Sequence, residues 1–136
     1  MSLSKNLLAG ILAASLAIGA SGSSFAATKL TNYSSAKALT LKLATNKSLK
    51  CSKPVIQKNE FTQNQIRFSC EDDTNGYWFA TAAKMKPFLD DRKSKLFAGE
   101  GVIYGDNWYV ETWGGGASNA HNAQVAKTLK GVSFYK

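Results

Sequence analysis

The chain is poor in the residues that most often carry chemistry. Its 136 residues include one histidine and two cysteines, and its only arginines are Arg67 and Arg92. The sequence has no G-x-S-x-G nucleophile motif, no H-E-x-x-H zinc motif and no Walker loop ending in Lys-Ser or Lys-Thr. No further cysteine or histidine is placed to complete a zinc site. We therefore expect no cofactor, no metal site and no enzymatic activity.

Long apolar runs are also scarce. One run, Leu7 to Ala20, lies between a charged start and a stretch of small and polar residues, an order typical of a secretory signal peptide. Ser24-Phe25-Ala26 fits the small-x-small cleavage rule, so we predict a signal peptide over residues 1–26 and one secreted domain over residues 27–136. The run is short for a membrane span. The expected protein is soluble, does not span a membrane, and is secreted or periplasmic.

The two cysteines are Cys51 and Cys70. In a chain expected to be exported, an even pair most simply forms one disulfide. The bond would close a loop of about 20 residues and stabilise the fold by roughly 3 kcal/mol on the chain-entropy model. A pair of free thiols or metal ligands is the alternative interpretation.

Acidic residues are absent from the first 59 residues. Residues 27–136 carry 16 Lys and Arg against 9 Asp and Glu, a net charge of +7, because Lys5 belongs to the predicted signal peptide. The basic third predicts affinity for an anionic partner, with a wall polymer or lipid headgroups favoured over nucleic acid. A surface whose charge serves only solubility is the alternative. The lysines assigned to a partner surface are Lys37, Lys42, Lys47 and Lys50.

Two stretches in the first hundred residues have a helical pattern. Ala36 to Thr45 is one, although alternate leucines within it also fit a strand. Thr81 to Ala98 is the other, with Pro87 required in the first turn unless it kinks the helix. The polar stretch Thr28 to Ser35 is expected to be a flexible mature N-terminus.

A third helix is predicted after a glycine-rich loop. Ser118 or Asn119 is expected to cap it, and Gly131 to end it as the C′ residue. The loop can cradle an anion, because backbone N–H groups converge there with the positive end of a helix. A flexible connector is the alternative. The predicted anion-binding residues are Gly114, Gly115, Gly116, Ser118 and Asn119.

Strands are predicted between these helices. Gln65 to Cys70 alternates, with Phe68 facing inward, and an Asn75-Gly76 turn joins it to Tyr77–Ala80. The acidic residues Glu71 to Asp73 lack the spacing of a calcium-binding loop and are expected to lie in a solvated turn. With a terminal strand from Val132, the order α β β β α β β α β predicts a single α+β domain. It consists of a mostly antiparallel sheet, two or three helices packed on it and one disulfide.

An aromatic-rich hairpin is predicted from Val102 to Thr112. Gly105-Asp106-Asn107 suits a two-residue loop of type I′ or II′. A three-residue loop would change which side chains of the first strand point to each face of the hairpin. The two-residue loop places Ile103, Trp108 and Val110 on one face and Val102, Tyr104, Tyr109 and Trp113 on the other. Exposed aromatics would stack on a ligand, and buried ones would form the core. Those assigned to a partner surface are Tyr104, Trp108, Tyr109 and Trp113.

His121 is the single histidine and could act as a general base. A small, basic, exported chain with one late histidine resembles the secreted microbial ribonucleases in size, charge and that residue. Their catalytic Glu and Arg pattern is not found. The alternative is a partly packed structural histidine, since His121 precedes Val125 and Leu129 at helical spacing.

The layout as a whole resembles one group of small exported proteins. A helix leads into Cys51, a strand ends at Cys70, and then come Y-W-F-A-T from Tyr77, an amphipathic helix and Y-G-D-N-W-Y-V from Tyr104. This is similar to exported or lipoprotein-like two-cysteine proteins of actinobacteria with no assigned function. The absence of a lipobox and the lysine-rich N-terminal third depart from that group. The resemblance implies an extracytoplasmic domain, with no catalytic residues to carry over.

Three functional hypotheses follow. The leading one is an exported, non-enzymatic domain that binds an anionic cell-surface polymer or a secreted protein at the cell envelope. The second is a small secreted hydrolase, nuclease-like and centred on His121. The third is an inhibitor of a secreted enzyme, which would need an exposed, rigid loop such as Gly105 to Asn107.

Overall fold

The computed structural model describes residues 28–58, 65–112, 116 and 119–136. The signal peptide predicted for residues 1–26 lies outside the described residues. The helices are α1 (Ala36–Ala44), α2 (Ala82–Ser94) and α3 (Ala120–Leu129), with a short 3-10 turn at Lys47–Leu49. The strands are β1 (Val55–Lys58), β2 (Gln65–Ser69), β3 (Asn75–Phe79), β4 (Gly101–Tyr104), β5 (Trp108–Glu111) and β6 (Val132–Tyr135). The predicted order of helices and strands is confirmed, but the predicted Asn75-Gly76 turn is wrong, because both residues belong to β3 and pair with Ser69 and Phe68 of β2.

The described strands form one antiparallel sheet in the order β1-β2-β3-β5-β4-β6. Helices α1 and α3 pack on one face of the sheet, and α2 packs on the other. This confirms the predicted single α+β domain with its disulfide, Cys51–Cys70. Within the described part of the chain, no helix combines the length and the apolar character that crossing a membrane requires.

Each face of the sheet contributes to its own apolar core, because successive strand residues point to opposite faces. The larger core lies under α1 and α3, where Phe68 and Trp108 have no exposed surface, and it includes the disulfide. The smaller core lies under α2 and contains Phe79 and Tyr109. The hairpin faces are as predicted: the larger core receives Ile103, Trp108 and Val110, and the smaller receives Val102, Tyr104 and Tyr109.

The turn of the β4–β5 hairpin differs from both predicted types. The Gly105 amide donates to the Trp108 carbonyl at 2.9 Å, which leaves Asp106 and Asn107 as a two-residue loop. Neither residue has a positive φ, whereas types I′ and II′ require one. The reason is tertiary, since the Asp106 amide donates to the carbonyl of Thr31 at 2.8 Å and holds the turn in another conformation.

The stretch Thr31 to Tyr33 is hydrogen-bonded across the end of this hairpin. The indole N–H groups of Trp108 and Trp78 donate to the carbonyls of Thr31 (3.0 Å) and Tyr33 (2.8 Å). The side-chain amide of Asn107 donates to the Tyr33 carbonyl at 2.8 Å, and its oxygen accepts from the Tyr33 amide at 3.1 Å. The expectation of a flexible N-terminus is therefore wrong for these residues, whose partners are distant in the sequence.

Helix α2 begins earlier than Pro87 suggested. Thr81 caps it, with its hydroxyl accepting from the Lys84 amide at 3.3 Å, so Pro87 lies in the second turn. The missing N–H of proline removes one hydrogen bond to the carbonyl of Ala83, which is an exposed residue. The expectation of Pro87 in the first turn is wrong, because the cap at Thr81 determines where the helix starts.

The end of α3 also differs from the prediction. Lys130 is the left-handed residue, with φ of 52°, in place of Gly131. Gly131 follows Lys130, and glycine is required there by close packing and not by a left-handed backbone. A Cβ at Gly131 would lie 2.6 Å from the Trp108 ring and 2.8 Å from Ile103. Gly131 therefore allows the chain to approach the larger core closely.

Candidate functional site

A cleft of about 430 Å³ opens beside the disulfide. The end of α1, the 3-10 turn and the two chain segments joined by the disulfide form its walls. Its volume falls within the range of small-molecule binding sites. Its lining residues are Ala44, Lys47, Lys50, Cys51, Ser52 and Glu71, and we refer to it as the basic cleft.

The 3-10 turn that carries the cleft lysines is anchored at Asn46. The Asn46 side-chain oxygen accepts from the Ser48 amide at 3.1 Å and caps the turn. Its amide nitrogen donates to Gln124 at 2.9 Å and to Thr128 at 3.0 Å, both on α3. Lys50 ends the turn with a left-handed backbone, φ 41°. The backbone under the lysines is thus tied to the larger core.

Glu71 joins the two chain segments at the disulfide. Its Oε1 accepts from the Ser52 hydroxyl at 2.8 Å and from the Lys53 amide at 2.9 Å. The Glu71 amide in turn donates to the carbonyl of Lys50 at 3.1 Å. A hydrogen bond from its own backbone, followed by those from Ser52 and Lys53, lowers the pKa of Glu71, so the carboxylate stays charged at neutral pH.

All the lysines predicted for the partner surface are exposed. Lys37 and Lys42 lie on α1, and Lys47 and Lys50 line the basic cleft. Residues 28–58 contain no acid, and Glu71 is the one acidic residue among those that line the cleft. The lysines of the basic third are therefore exposed, and two of them line the basic cleft.

The aromatic half of the predicted partner surface is mostly core. Trp108 has no exposed surface and Tyr109 is 4 % exposed, and burial raises the pKa of Tyr109 well above its ordinary value. Tyr104 is half-buried, with the Lys93 ammonium 3.9 Å from its ring centroid. Trp113 lies outside the described residues. The assignment of Trp108 and Tyr109 to a surface is wrong, because the segment before α1 and helices α2 and α3 cover the hairpin.

The hairpin loop is also not an exposed inhibitory loop. Gly105 is buried and Asn107 is 1 % exposed, because the N-terminal segment Thr31 to Tyr33 lies across them. The inhibitor hypothesis thus lacks the loop that it was based on.

The predicted anion-binding loop is described only in part. Gly114, Gly115 and Ser118 lie outside the described residues, and Gly116 has a positive φ of 59°. Asn119 is confirmed as the cap of α3, with its side-chain oxygen accepting from the amides of His121 (2.9 Å) and Asn122 (3.4 Å). These amides are the donors that an anion would use. Anion binding by this loop stays a prediction.

His121 lies in the first turn of α3, next to the β2–β3 turn. Its Nε2 is 2.9 Å from the Thr74 hydroxyl and its Nδ1 is 3.7 Å from a carboxylate oxygen of Asp72. The Asp72 side chain is 11 % exposed, and its other oxygen accepts from the Thr74 amide at 3.1 Å. Asp72 is therefore packed rather than solvated. This sequence of hydroxyl, imidazole and carboxylate is the order of a hydrolase triad, but Thr74 is only 1 % exposed.

Glu71 and Asp72 were expected in a solvated turn and were not assigned to a site. Pairing Cys70 with Cys51 brings Glu71 next to Lys50 and Ser52. The predicted disulfide is a signal that the segments of Lys50 and Glu71 meet, although it does not show the cleft. The approach of Asp72 to His121 has no such signal, because it depends on how α3 packs on the sheet.

Comparisons with protein-family models, with curated proteins and with solved structures found no match. Among the described residues, no group of three or more His, Cys, Asp or Glu side chains is arranged to hold a metal ion. Two features of the described residues have chemistry that can support a function: the basic cleft, and the group formed by His121, Thr74 and Asp72, which we call the His121 cluster.

Proposed function

We propose that this protein is an exported, non-enzymatic domain that binds an anionic partner at the cell envelope through the basic cleft. One observation carries the proposal: Lys47 and Lys50 line the same concave site, on a part of the chain that contains no acid from residue 28 to residue 58. The disulfide supports an oxidising, extracytoplasmic compartment. The partner is a phosphate-rich or carboxylate-rich polymer of the cell surface.

The binding is electrostatic in this proposal. Lysine ammonium groups form short, charge-assisted hydrogen bonds with phosphate oxygens. The exposed Lys37 and Lys42 extend the positive field along α1, which raises the rate of encounter with an anionic partner. Because salt screens charges at exposed sites, affinity falls as ionic strength rises.

Removing the two cleft lysines tests the proposal. The variant Lys47→Gln/Lys50→Asn keeps a polar residue at each position, and asparagine tolerates the left-handed backbone of Lys50. With about 1 kcal/mol for each lysine at an anionic surface, affinity for long-chain inorganic polyphosphate is expected to fall about 30-fold. Titration at low and high salt by calorimetry measures both the loss and its salt dependence.

The matched control is Lys84→Gln/Lys130→Asn. It removes the same charge from exposed positions away from the cleft lining, and Lys130 is also left-handed, with φ of 52°. This control is expected to weaken binding less than threefold, since long-range charge alone contributes little at moderate salt. Equal losses in both variants, or binding that does not respond to salt, would contradict the assignment of the cleft.

A small secreted hydrolase is the second candidate, and the Asp72 carboxylate 3.7 Å from His121 Nδ1 favours it. A carboxylate in that position orients the imidazole. Wild-type protein and His121→Ala are compared for hydrolysis of a fluorescent RNA substrate. We expect neither to hydrolyse it, because the His121 side chain is only 17 % exposed and its Nε2 already lies 2.9 Å from the Thr74 hydroxyl, which leaves little access for the 2′-hydroxyl of RNA. RNA hydrolysis by wild type that is lost in His121→Ala would replace the binding proposal with this one.

A further inference from the structure

We infer that the basic cleft recognises a phosphate ester that also carries a primary ammonium group, that is, a zwitterionic group. The inference rests on the proposed function and names its ligand. Lys47 and Lys50 bring positive charge to the cleft, and Glu71 brings a carboxylate to the same cleft. A carboxylate in the cleft repels a plain polyanion and attracts a cation.

The Glu71 carboxylate is held in place and keeps its charge. Its Oε1 accepts from Ser52 and from the Lys53 amide. In the described part of the chain, the carboxylate forms no ion pair with a lysine. A hydrogen bond from its own backbone, followed by those from Ser52 and Lys53, lowers the pKa of Glu71. A charged, oriented carboxylate is therefore available to a cation that enters the cleft.

The disulfide joins the two segments that carry the positive and negative charges of the cleft. Lys50 and Ser52 flank Cys51, whereas Glu71 follows Cys70, and the Cα atoms of the two cysteines are 4.6 Å apart. The bond from the Glu71 amide to the Lys50 carbonyl, 3.1 Å, sets the register between the segments. Lys47 enters from the 3-10 turn. The cleft thus presents a phosphate-binding side and an ammonium-binding side on a rigid frame.

The volume of the cleft suits one such group. About 430 Å³ accommodates a phosphodiester with an aminoethyl or aminoacyl arm. The phosphate would accept hydrogen bonds from the ammonium groups of Lys47 and Lys50, and the ligand ammonium would donate to Oε2 of Glu71. The same chemistry occurs on a lipid headgroup and on a free or polymer-borne phosphate ester.

Two soluble probes that differ in the amine test the inference. Glycerophosphoethanolamine and glycerophosphoglycerol share the phosphodiester, and only the first has an ammonium group. Wild type is expected to bind the first about tenfold more tightly, the range of a charge-assisted hydrogen bond. Glu71→Gln keeps an oxygen for Ser52 and Lys53 but loses the charge, so this preference disappears while binding of glycerophosphoglycerol holds or improves.

The control for Glu71→Gln is Asp90→Asn, which makes the same charge change on α2, at an exposed position outside the cleft lining. It is expected to keep the tenfold preference. Vesicles of phosphatidylethanolamine in phosphatidylcholine identify the source: their binding assigns a lipid headgroup, and binding of the soluble ester alone assigns a free or polymer-borne ester.

Equal affinity of wild type for the two soluble probes, or an unchanged preference in Glu71→Gln, would overturn the inference. The polyphosphate titration separates this failure from a failure of the proposed function. Polyphosphate binding that depends on Lys47 and Lys50, without any preference for the amine, removes the inference alone. No binding of polyphosphate and of either probe removes both.

Discussion

Replacing Asn107 with alanine is expected to lower the free energy of unfolding by about 4 kcal/mol, because buried polar groups left without a partner cost about 1–3 kcal/mol each. The Asn107 side chain is 1 % exposed. It donates to the carbonyls of Tyr33 (2.8 Å) and Phe79 (3.0 Å) and accepts from the Tyr33 amide (3.1 Å). Chemical denaturation measures the change, and faster hydrogen exchange of the Asp106 amide would report release of the N-terminal segment.

Two further variants separate hydrogen bonding from shape. Asn107→Asp has nearly the same shape but cannot donate to the two carbonyls, and it buries a charge, so it is expected to destabilise at least as much as alanine. Asp106→Asn retains an oxygen for the Asn32 amide, 3.0 Å away, and is expected to change stability by less than about 0.5 kcal/mol. If Asn107→Ala lowered the free energy of unfolding by less than about 1 kcal/mol, water would have to replace the hydrogen bonds of the Asn107 side chain.

Reducing the Cys51–Cys70 disulfide is expected to cost about 3 kcal/mol of stability, since it frees a loop of about 20 residues in the unfolded chain. Both cysteines are buried in the larger core, with 2 % and 7 % exposure. The reduced protein keeps both sulfur atoms, so its lower stability reflects the missing bond rather than a cavity. Denaturation of oxidised and reduced protein under otherwise identical conditions gives the difference.

The same reduction is expected to weaken binding at the basic cleft. The disulfide holds Lys50 and Ser52 beside Glu71, and a looser frame makes ordering of the ligand more costly. Oxidised Ser69→Ala is the control, because Ser69 ends β2 next to Cys70, does not line the cleft and leaves the disulfide intact. Reduced protein that is still folded but binds polyphosphate as tightly as oxidised protein would show that the disulfide has no part in shaping the site.

The cleft and the His121 cluster share one short turn. Glu71 faces the cleft lysines and Asp72 lies beside His121. The turn is closed by the Cys70 amide, which donates to the Thr74 carbonyl at 2.9 Å. Substitutions at Asp72 are therefore expected to alter binding at the basic cleft through the shared backbone. Binding assays on variants of the His121 cluster need a stability measurement of the same variants.

Sequence patterns predicted the features that depend on neighbouring residues. The helical stripe of Ala36–Ala44, the cap at Asn119 and the alternation around Phe68 are confirmed. Such patterns reflect hydrogen bonds and side-chain periodicity within a few residues. The pairing of Cys51 with Cys70, predicted from their even number and from the expected export, is confirmed. The signal peptide, the export and the likeness to actinobacterial two-cysteine proteins stay predictions.

Errors arose where a distant segment decides the environment. The aromatic hairpin had the correct faces, yet Trp108 and Asn107 were assigned to a surface and are buried. The stretch Thr31 to Tyr33 covers Asn107 and, together with α1 and α3, buries Trp108. This stretch has no apolar pattern and was expected to be flexible. Backbone amides and carbonyls supply its attachment, and these are the same for every sequence, so composition could not predict the contact.

The sequence by itself determined the element order, the disulfide and the basic character of the first third, because composition and local periodicity are properties of the chain. Only the tertiary structure decided that Glu71 shares a cleft with Lys47 and Lys50, and that Asp72 lies beside His121. Both depend on which segments the sheet, the disulfide and α3 bring together. Contacts between distant segments are properties of the packed molecule. They determine which charged side chains lie close enough together to form a site.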